Sequence, residues 1–276
     1  AFSQAHQLLC SPVDFIQAQY GLSGIGYAIS TACTSGARAL ASAARLLKLG
    51  LCDAVLCGGV DSLSLLTING FASLEVVSAR VAKPFAADRD GINIGEAAAV
   101  FLMTRVPMPG FPEGEPIGLL GYGASSDAWH MSSPRPDGEG AMQAIQAALQ
   151  GAGLSAGDLG WINLHGTGTA QNDAMESLAV VQTLGVDVPG TSTKPHTGHT
   201  LGAAGALEAA IVWGLVSRQL NPSGALPAQG NERDPSLAPL RLTRPGDRWP
   251  SGRRLGLSTS FAFGGNNMAL IMGDTA

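Results

Sequence analysis

Aromatic and charged side chains are scarce in this sequence. Of its 276 residues only 5% are aromatic and 13% are charged, whereas 45% are hydrophobic. A chain of this length and composition can bury a sizeable core, as one large domain or as two closely packed halves. No apolar run reaches the roughly 18 residues that a membrane span requires, and no charged-then-apolar signal segment is visible. We therefore expect a globular, cytoplasmic protein without a membrane span.

Basic residues and cysteines are also few. The formal net charge of −5 argues against nucleic-acid binding, which requires a basic surface to neutralise phosphates. The four cysteines, Cys10, Cys33, Cys52 and Cys57, form no CxxC pair and show no secretory spacing. We therefore expect free thiols in a reducing compartment rather than disulfides.

Glycine, in contrast, is abundant. The 37 glycines and many alanines indicate tight turns and closely packed small-residue helices, as in layered α/β proteins. Strand and helix patterns alternate, which predicts a mostly parallel sheet covered by helices. The proline-rich stretch 107–116 separates two predicted halves, residues 1–106 and 107–276. The predicted strands are 26–31, 53–57, 98–103, 161–164, 255–260 and 268–272, and the predicted helices are 37–49, 140–149, 173–184 and 201–220.

Cys33 is the candidate nucleophile. It lies on a sharp turn between strand 26–31 and helix 37–49, within TACTSG. Unpaired backbone N–H groups and the helix dipole favour negative charge at such a helix start. The position therefore predicts a lowered pKa for Cys33 and a thiolate that can attack a carbonyl. We interpret the other three cysteines as small buried hydrophobes.

Two histidines lie in glycine-rich segments beside regular elements. His165 follows strand 161–164, and ligands of parallel sheets bind beyond such strand ends. His199 lies just ahead of helix 201–220. With Cys33 they form a nucleophile and proton-donor set. His196 and His199 are three residues apart, but no carboxylate or thiol follows at a suitable ligand spacing, so the sequence predicts no metal site.

Six segments in order resemble successive motifs of the β-ketoacyl-acyl carrier protein synthases. They are TACTSG, KPFAADRDGINIGE, SSDAWHMSSP, NLHGTGT, KPHTGHTLGAAGALEAA and SFAFGGNN, and together they cover nearly the whole chain. The resemblance implies an α/β fold of the thiolase-like layered αβαβα type, with the nucleophile on the first half and the two histidines on the second. The DAWHMSSP loop is most similar to the stand-alone elongating synthases of bacteria.

The same resemblance implies a function. The expected reaction is a decarboxylative Claisen condensation of a cysteine-bound acyl group with a malonyl thioester, in fatty acid or polyketide/polyene biosynthesis. No intrinsic cofactor is expected, because the substrates are carried on the phosphopantetheine of an acyl carrier protein. That carrier protein is the expected partner, and a homodimer is the expected assembly, with a heterodimer as the alternative.

The resemblance also assigns roles to individual residues. Cys33 corresponds to the acyl-accepting nucleophile, His165 and His199 to the pair that promotes decarboxylation, and Lys194 to an active-site lysine paired with Glu208. Two imidazole N–H donors aimed at an enolate oxygen are each worth roughly a few kcal/mol. A buried lysine requires such a counter-charge, so the Lys194–Glu208 pair also has a structural interpretation.

Substrate contacts are implied as well. Thr167 and Thr169 match threonines that hydrogen-bond the phosphopantetheine arm, and Phe263 matches an aromatic residue that gates access to the cysteine. Phe261 is then an adjacent wall of the pocket. The backbone N–H groups of Cys33 and Phe263 are the expected donors to the oxyanion that forms at the acyl carbonyl.

One departure and two alternatives follow from the resemblance. In the family a substantial opening part of the first half precedes the segment equivalent to Ala1, so we expect a truncated or proteolysed product that does not complete the fold alone. A thiolase acting on coenzyme A esters normally uses a second, late cysteine, and none follows Cys57. A non-catalytic, chain-length-factor-like partner typically lacks the reactive cysteine, which is present here as Cys33.

Three basic residues lie on one side of the helix that follows Cys33. Arg38, Arg45 and Lys48 could attract an acidic carrier protein. Because this helix is alanine-rich and expected to be central, we favour structural ion pairs for them.

Overall fold

The computed structural model describes residues 8–105, 115 and 117–275. The predicted boundary at 107–116 therefore lies outside the described residues except for Glu115, and the division into 1–106 and 107–276 stays a prediction. The helices are α1 (Ser11–Tyr20), α2 (Ser35–Lys48), α3 (Leu65–Ser73), α4 (Glu139–Ala152), α5 (Ala170–Leu184), α6 (Lys194–Thr197) and α7 (Ala204–Val216). The strands are β1 (Ala54–Asp61), β2 (Ala97–Thr104), β3 (Ile117–Ser126), β4 (Trp161–Asn163), β5 (Gly190–Thr191), β6 (Leu255–Ala262) and β7 (Asn266–Asp274).

The larger of two sheets is mixed. Its strand order is β3-β7-β6-β4-β5. Strand β4 pairs in parallel with β5 and β6, whereas β7 pairs antiparallel with both β6 and β3. The prediction of a mostly parallel sheet is therefore wrong. The antiparallel pairing has a local cause. The short turn Phe263–Gly265 joins β6 directly to β7, and so short a connection allows only antiparallel pairing.

Helices cover both faces of this sheet, and the alternation along β7 shows how. Ala269 and Ile271 belong to a core formed with α4 and α5. Met268, Leu270 and Met272 belong to a second core formed with α2 and α7. Successive side chains of a strand point to opposite faces, so one strand contributes to both cores.

The antiparallel pair β1–β2 forms a second sheet beyond α2 and α7. Cys57 of β1 and Ala99 of β2 lie in the same core as these two helices. The described chain is thus layered as helices, five-stranded sheet, helices and two-stranded sheet.

Small residues let α2 and α7 approach closely. A Cβ atom added at Gly36 would lie 2.7 Å from the backbone nitrogen of Ala206, and one at Gly205 would lie 2.7 Å from that of Ala37. Neither contact is sterically possible, so glycine is required at both positions. The contact matters for the site because α2 begins beside Cys33 and α7 carries Glu208.

Two predicted elements differ from the structure. Residues 26–31 form no strand and are mostly exposed, with only an isolated bridge between Thr31 and Cys33. A strand requires a hydrogen-bonded neighbour, and no described strand lies beside this segment. The predicted helix 201–220 begins as a 3-10 turn, Leu201–Ala203, and its α-helical part ends at Val216. The described residues include no helix that is long and apolar enough to cross a membrane.

Candidate active site

Cys33 lies at the start of α2, as the sequence predicts. The preceding residue, Ala32, has a φ of 52°, a left-handed conformation that costs a non-glycine residue on the order of 1 kcal/mol. Hydrogen bonds from the Thr34 hydroxyl to the Thr31 carbonyl, 2.7 Å, and from the Ser35 hydroxyl to the Ala32 carbonyl, 2.6 Å, hold the turn. Cys33 is buried at this turn.

The acidity of Cys33 differs from the prediction. Burial raises the pKa of its thiol to about 11, although Lys194 and the backbone N–H groups of Cys33 and Phe263 act to lower it. Glu208 raises the pKa further. The helix start was expected to lower it, but the partial charge at a helix end does not offset nearly complete removal from water. The resting group is therefore a neutral thiol at pH 7.

His199 is the immediate neighbour of that thiol. Its Nε2 lies 3.1 Å from Cys33 Sγ. The histidine follows α6 in an extended segment that pairs with residues 93–95: its N–H donates to the Asn93 carbonyl at 2.6 Å, and its carbonyl accepts from the Gly95 N–H at 3.0 Å. Burial, followed by the charge of Lys194, holds the pKa of His199 well below its usual range. Thiol and imidazole therefore meet as two neutral groups.

His165 lies two residues beyond the end of β4, and its ring faces that of His199 with the centroids 5.3 Å apart. The turn that carries it is fixed by Glu176 of α5. The carboxylate accepts the N–H of His165 and the N–H of Gly166, each at 2.7 Å, and the hydroxyl of Thr259 at 2.8 Å. Burial lowers the pKa of His165 well below its usual range, with Lys194 and His199 adding to the effect.

Glu176 and Asp173 are residues that the sequence analysis missed. Both are completely buried on α5, and burial raises the pKa of Glu176 to about 7. Asp173 accepts the N–H of Phe85 at 2.7 Å and that of Gly168 at 3.2 Å. One signal in the sequence indicates these two residues: they are carboxylates three residues apart on the apolar face of a helix that begins directly after HGTGT. Carboxylates are rarely buried without a partner, so this position predicts that each one accepts specific hydrogen bonds.

Lys194 and Glu208 form a buried ion pair. Lys194 Nζ lies 2.5 Å from Glu208 Oε1, and both side chains are 2% exposed. The ammonium also donates to the His165 carbonyl at 2.5 Å and approaches His165 Nδ1 at 3.3 Å. Because an ammonium can only donate, it assigns Nδ1 as acceptor and places the ring proton of His165 on Nε2. Burial raises the pKa of Glu208, and the charge of Lys194 opposes that rise.

The predicted substrate contacts are distributed around this centre. Thr167 and Thr169 follow His165, and their hydroxyl oxygens are 2.9 Å apart. Phe261 is buried, with its ring 6.0 Å from the ring of His165. All three residues lie near His165, and their roles in substrate binding stay predictions.

Phe263 is 37% exposed and stacks on Phe71 of α3, with ring centroids 6.0 Å apart. The DAWHMSSP loop supports the turn that carries it. Gly264 N–H donates to the Met131 carbonyl and Asp127 N–H donates to the Gly265 carbonyl, both at 2.8 Å. This loop therefore holds the turn that carries Phe263, whose backbone N–H acts on the Cys33 thiol.

The KPFAADRDGINIGE segment links the two histidine loops. Its Gly91 N–H donates to the Gly168 carbonyl at 3.0 Å, next to His165, and its Asn93 carbonyl holds His199. The Asn93 carboxamide in turn accepts the Ala82 N–H at 2.6 Å and donates to the Arg80 carbonyl at 2.8 Å. The segment thus fixes the spacing of the two imidazoles.

Within the described part of the chain, no three His, Cys, Asp or Glu side chains form a group that could hold a metal ion. The arrangement instead offers a thiol, two neutral imidazoles and two backbone N–H groups around one point. Such a set can form and resolve a thioester and can stabilise an enolate.

Two models of known protein families match this chain. The N-terminal domain of β-ketoacyl synthases matches residues 13–107, and the C-terminal domain of β-ketoacyl synthases matches residues 118–224. A 3-oxoacyl-(acyl-carrier-protein) synthase 2 from Rhizobium meliloti is 35% identical over 270 residues, which cover 93% of this chain and 62% of that protein. The chain spans less than two thirds of the length of the curated relatives it matches.

Solved structures show the same similarity. A ketosynthase in complex with its chain length factor from Xenorhabdus doucetiae matches with a TM-score of 0.92 and 46% identity, over 100% of this chain and 66% of that one. A type II polyketide synthase acyl-carrier protein in complex with its ketosynthase matches with a TM-score of 0.85 and 27% identity, over 97% of this chain and 67% of that one. The thiolase-like layered α/β fold implied by the sequence motifs is confirmed by these matches.

Proposed function

The chain belongs to the β-ketoacyl synthase family of the thiolase superfamily, and on that premise we propose that it is a condensing acyltransferase, a 3-oxoacyl-acyl carrier protein synthase. It would join an acyl group held on Cys33 to a malonyl thioester with loss of carbon dioxide. The contact of 3.1 Å between Cys33 Sγ and His199 Nε2 carries the proposal, because it gives a neutral thiol a proton acceptor at the moment of attack.

In the first half-reaction Cys33 Sγ attacks the carbonyl of an acyl thioester. Its proton passes to His199 Nε2 and then to the departing carrier thiolate, which leaves as a thiol. The negative oxygen of the intermediate would accept the N–H groups of Cys33 and Phe263, which already act on the sulfur in the resting site. Two backbone donors in this role are worth roughly 3 kcal/mol each in comparable sites.

In the second half-reaction the malonyl thioester loses carbon dioxide and leaves an enolate. His165 is prepared to stabilise its oxygen, because Lys194 keeps the ring proton on Nε2. His199, beside it at a ring distance of 5.3 Å, supplies the second donor in the tautomer that carries its ring proton on Nε2. The enolate carbon then attacks the carbonyl carbon of the Cys33 thioester, the carbon–sulfur bond breaks, and the Cys33 thiolate takes up a proton from water to restore the thiol.

The remaining site residues bind and position the substrate. We assign Thr167 and Thr169 to the phosphopantetheine arm of an acyl carrier protein, Phe263 to access control and Phe261 to the acyl pocket wall. The partner is then an acyl carrier protein, and a homodimer or heterodimer is the proposed assembly. The matched solved structures are a ketosynthase with its chain length factor and a ketosynthase with its acyl-carrier protein.

A second candidate is a non-catalytic, chain-length-factor-like subunit, since one matched structure contains such a factor. The presence of Cys33, in contact with His199, favours the condensing enzyme over this alternative. The two candidates differ in one measurable property, the formation of an acyl adduct on Cys33.

The test is intact mass with peptide mapping before and after incubation with an acyl-loaded carrier protein. We expect one acyl adduct on Cys33 and none in a Cys33→Ala variant. Cys57 provides a matched buried thiol outside the site, so Cys57→Ala should retain the adduct. Absence of an adduct on folded protein would support the non-catalytic subunit instead.

A further inference from the structure

A cleft separate from the active site lies between α2, β3 and α4. Its volume is about 230 Å³, enough for a small molecule such as a phosphate or a dicarboxylate. Arg38 and Arg45 line the α2 side of the cleft, Tyr122 and Ala147 line the side of β3 and α4, and Met268 of β7 also belongs to the lining. None of the lining residues is acidic.

Arg38 enters this cleft with most of its hydrogen-bonding capacity unused. A guanidinium has five N–H donors, and the only hydrogen bond of this side chain within the described residues is a long one, 3.3 Å, to Asn266 Oδ1. Its Nε is buried and has no partner among the residues that the structure describes. Buried donors without acceptors are costly and rare in folded proteins, so an acceptor is expected in the cleft.

Arg45 adds a second positive charge to the same cleft. It lies seven residues after Arg38, which is two helical turns and therefore the same face of α2. Neither arginine forms an ion pair within residues 8–105, 115 and 117–275. The structural ion pairs that the sequence favours for these two residues are therefore not formed within the part of the chain that the structure describes.

The two charges are also close enough to affect each other. Burial lowers the pKa of Arg38, and the charge of Arg45 lowers it further. Two like charges facing a cleft without a carboxylate repel each other, and an anion between them would reverse that repulsion. The hydroxyl of Tyr122, which has no described protein partner, is a third possible donor on the opposite side.

From this geometry we propose that the cleft is a binding site for an oxyanion, the phosphate or carboxylate group of a small ligand. Arg38 and Arg45 bind its oxygens through charge-assisted hydrogen bonds, and Tyr122 donates from the opposite side. None of the other side chains that line the cleft is charged. The inference is independent of the condensing activity proposed above.

The test uses the full chain titrated at constant ionic strength with inorganic phosphate and, separately, with succinate. Nitrogen-15 spectra would follow the side-chain Nε–H signals of Arg38 and Arg45. We expect at least one of the two anions to bind saturably and to shift the Nε–H signal of Arg38. The anion that binds more tightly shows whether the cleft prefers a phosphate or a carboxylate group. Arg45→Gln should weaken binding by about tenfold or more, and Tyr122→Phe by less.

Arg244 provides the matched control, because it is an exposed arginine outside the cleft. Arg244→Gln should leave the affinity unchanged. The proposal is overturned if neither anion binds saturably, or if Arg45→Gln and Arg244→Gln bind equally well. Arg45 is exposed, and Tyr122→Phe removes only one oxygen, so we expect both variants to fold. They test the proposal even if Arg38→Gln does not fold.

Discussion

The two sheets of this protein differ in how much of their surface is covered. In β6 and β7 nearly every residue is buried, because helices pack on both faces. The β1–β2 pair packs only one face on α2 and α7. Its other face exposes apolar side chains at 40–58% of their surface: Leu56, Val60, Val100 and Leu102.

Most reactive residues of the site belong to the region of the five-stranded sheet. His165, Lys194, His199 and Glu208 are all buried and are attached to the five-stranded sheet or to α7. Cys33 is the one reactive group that comes from the other side, at the start of α2. The comparison indicates that the region of the five-stranded sheet supplies the rigid frame and that close α2–α7 packing brings the thiol to it.

The largest expected effect concerns the ion pair within the rigid region. Lys194→Met or Glu208→Gln should each lower the free energy of unfolding by about 3–5 kcal/mol, because the remaining partner stays buried without its counterpart. Urea unfolding followed by circular dichroism measures this. The double variant Lys194→Met/Glu208→Leu should recover most of the loss. If each single variant lowers the unfolding free energy by less than about 1 kcal/mol, as exposed ion pairs do, water reaches the site.

A matched pair of leucines tests the comparison directly. Leu257 of β6 is 0% exposed, and Leu102 of β2 is 44% exposed. Leu257→Ala should cost about 3 kcal/mol of unfolding free energy, whereas Leu102→Ala should cost about 0.5 kcal/mol or less. Equal losses in chemical denaturation would mean that the outer face of β1–β2 is covered in solution.

The two buried thiols, one in the site and one on β1, should differ in reactivity. Burial raises the pKa of Cys33 to about 11 and that of Cys57 to about 12. Below its pKa a thiol gains about tenfold in thiolate per pH unit, so iodoacetamide labelling of Cys33 should rise about a hundredfold from pH 7 to 9.

Peptide mapping of the labelled protein separates the two thiols. Cys33 should react faster than Cys57 by about tenfold at each pH, in line with the difference of one pKa unit. A plateau in the rate of Cys33 already near pH 7 to 8 would mean that the helix start, and not burial, controls its acidity.

The smallest expected effect concerns an aromatic contact of Phe263 with helix α3. Phe71 of α3 stacks on Phe263, and such pairs contribute about 0.5–1.5 kcal/mol. A double-mutant cycle with Phe71→Leu and Phe263→Leu should give a coupling energy near the lower end, because Phe263 is 37% exposed. Additive losses would show that the ring contact is absent in solution.

Local patterns determined much of this protein. Helix 140–149, the turn at Phe263–Gly265 and the positions of Cys33, His165 and His199 next to regular elements follow from residues close in sequence. Apolar periodicity and the turn preference of glycine depend on residues only a few positions apart. They therefore predict helices, strands and turns without knowledge of the fold.

Tertiary structure decided the rest, because the deciding interactions join residues far apart in sequence. Residues 26–31 have the composition of a strand, but no strand within the described residues lies beside them to pair with. The pKa of Cys33 is raised because burial outweighs the local helix start, and burial depends on α7 and the histidine loops. The buried Glu176, and the lack of an ion pair at Arg38 within the described residues, became visible only once the structure showed what surrounds each charge, since the free energy of a buried charge is set by its partners.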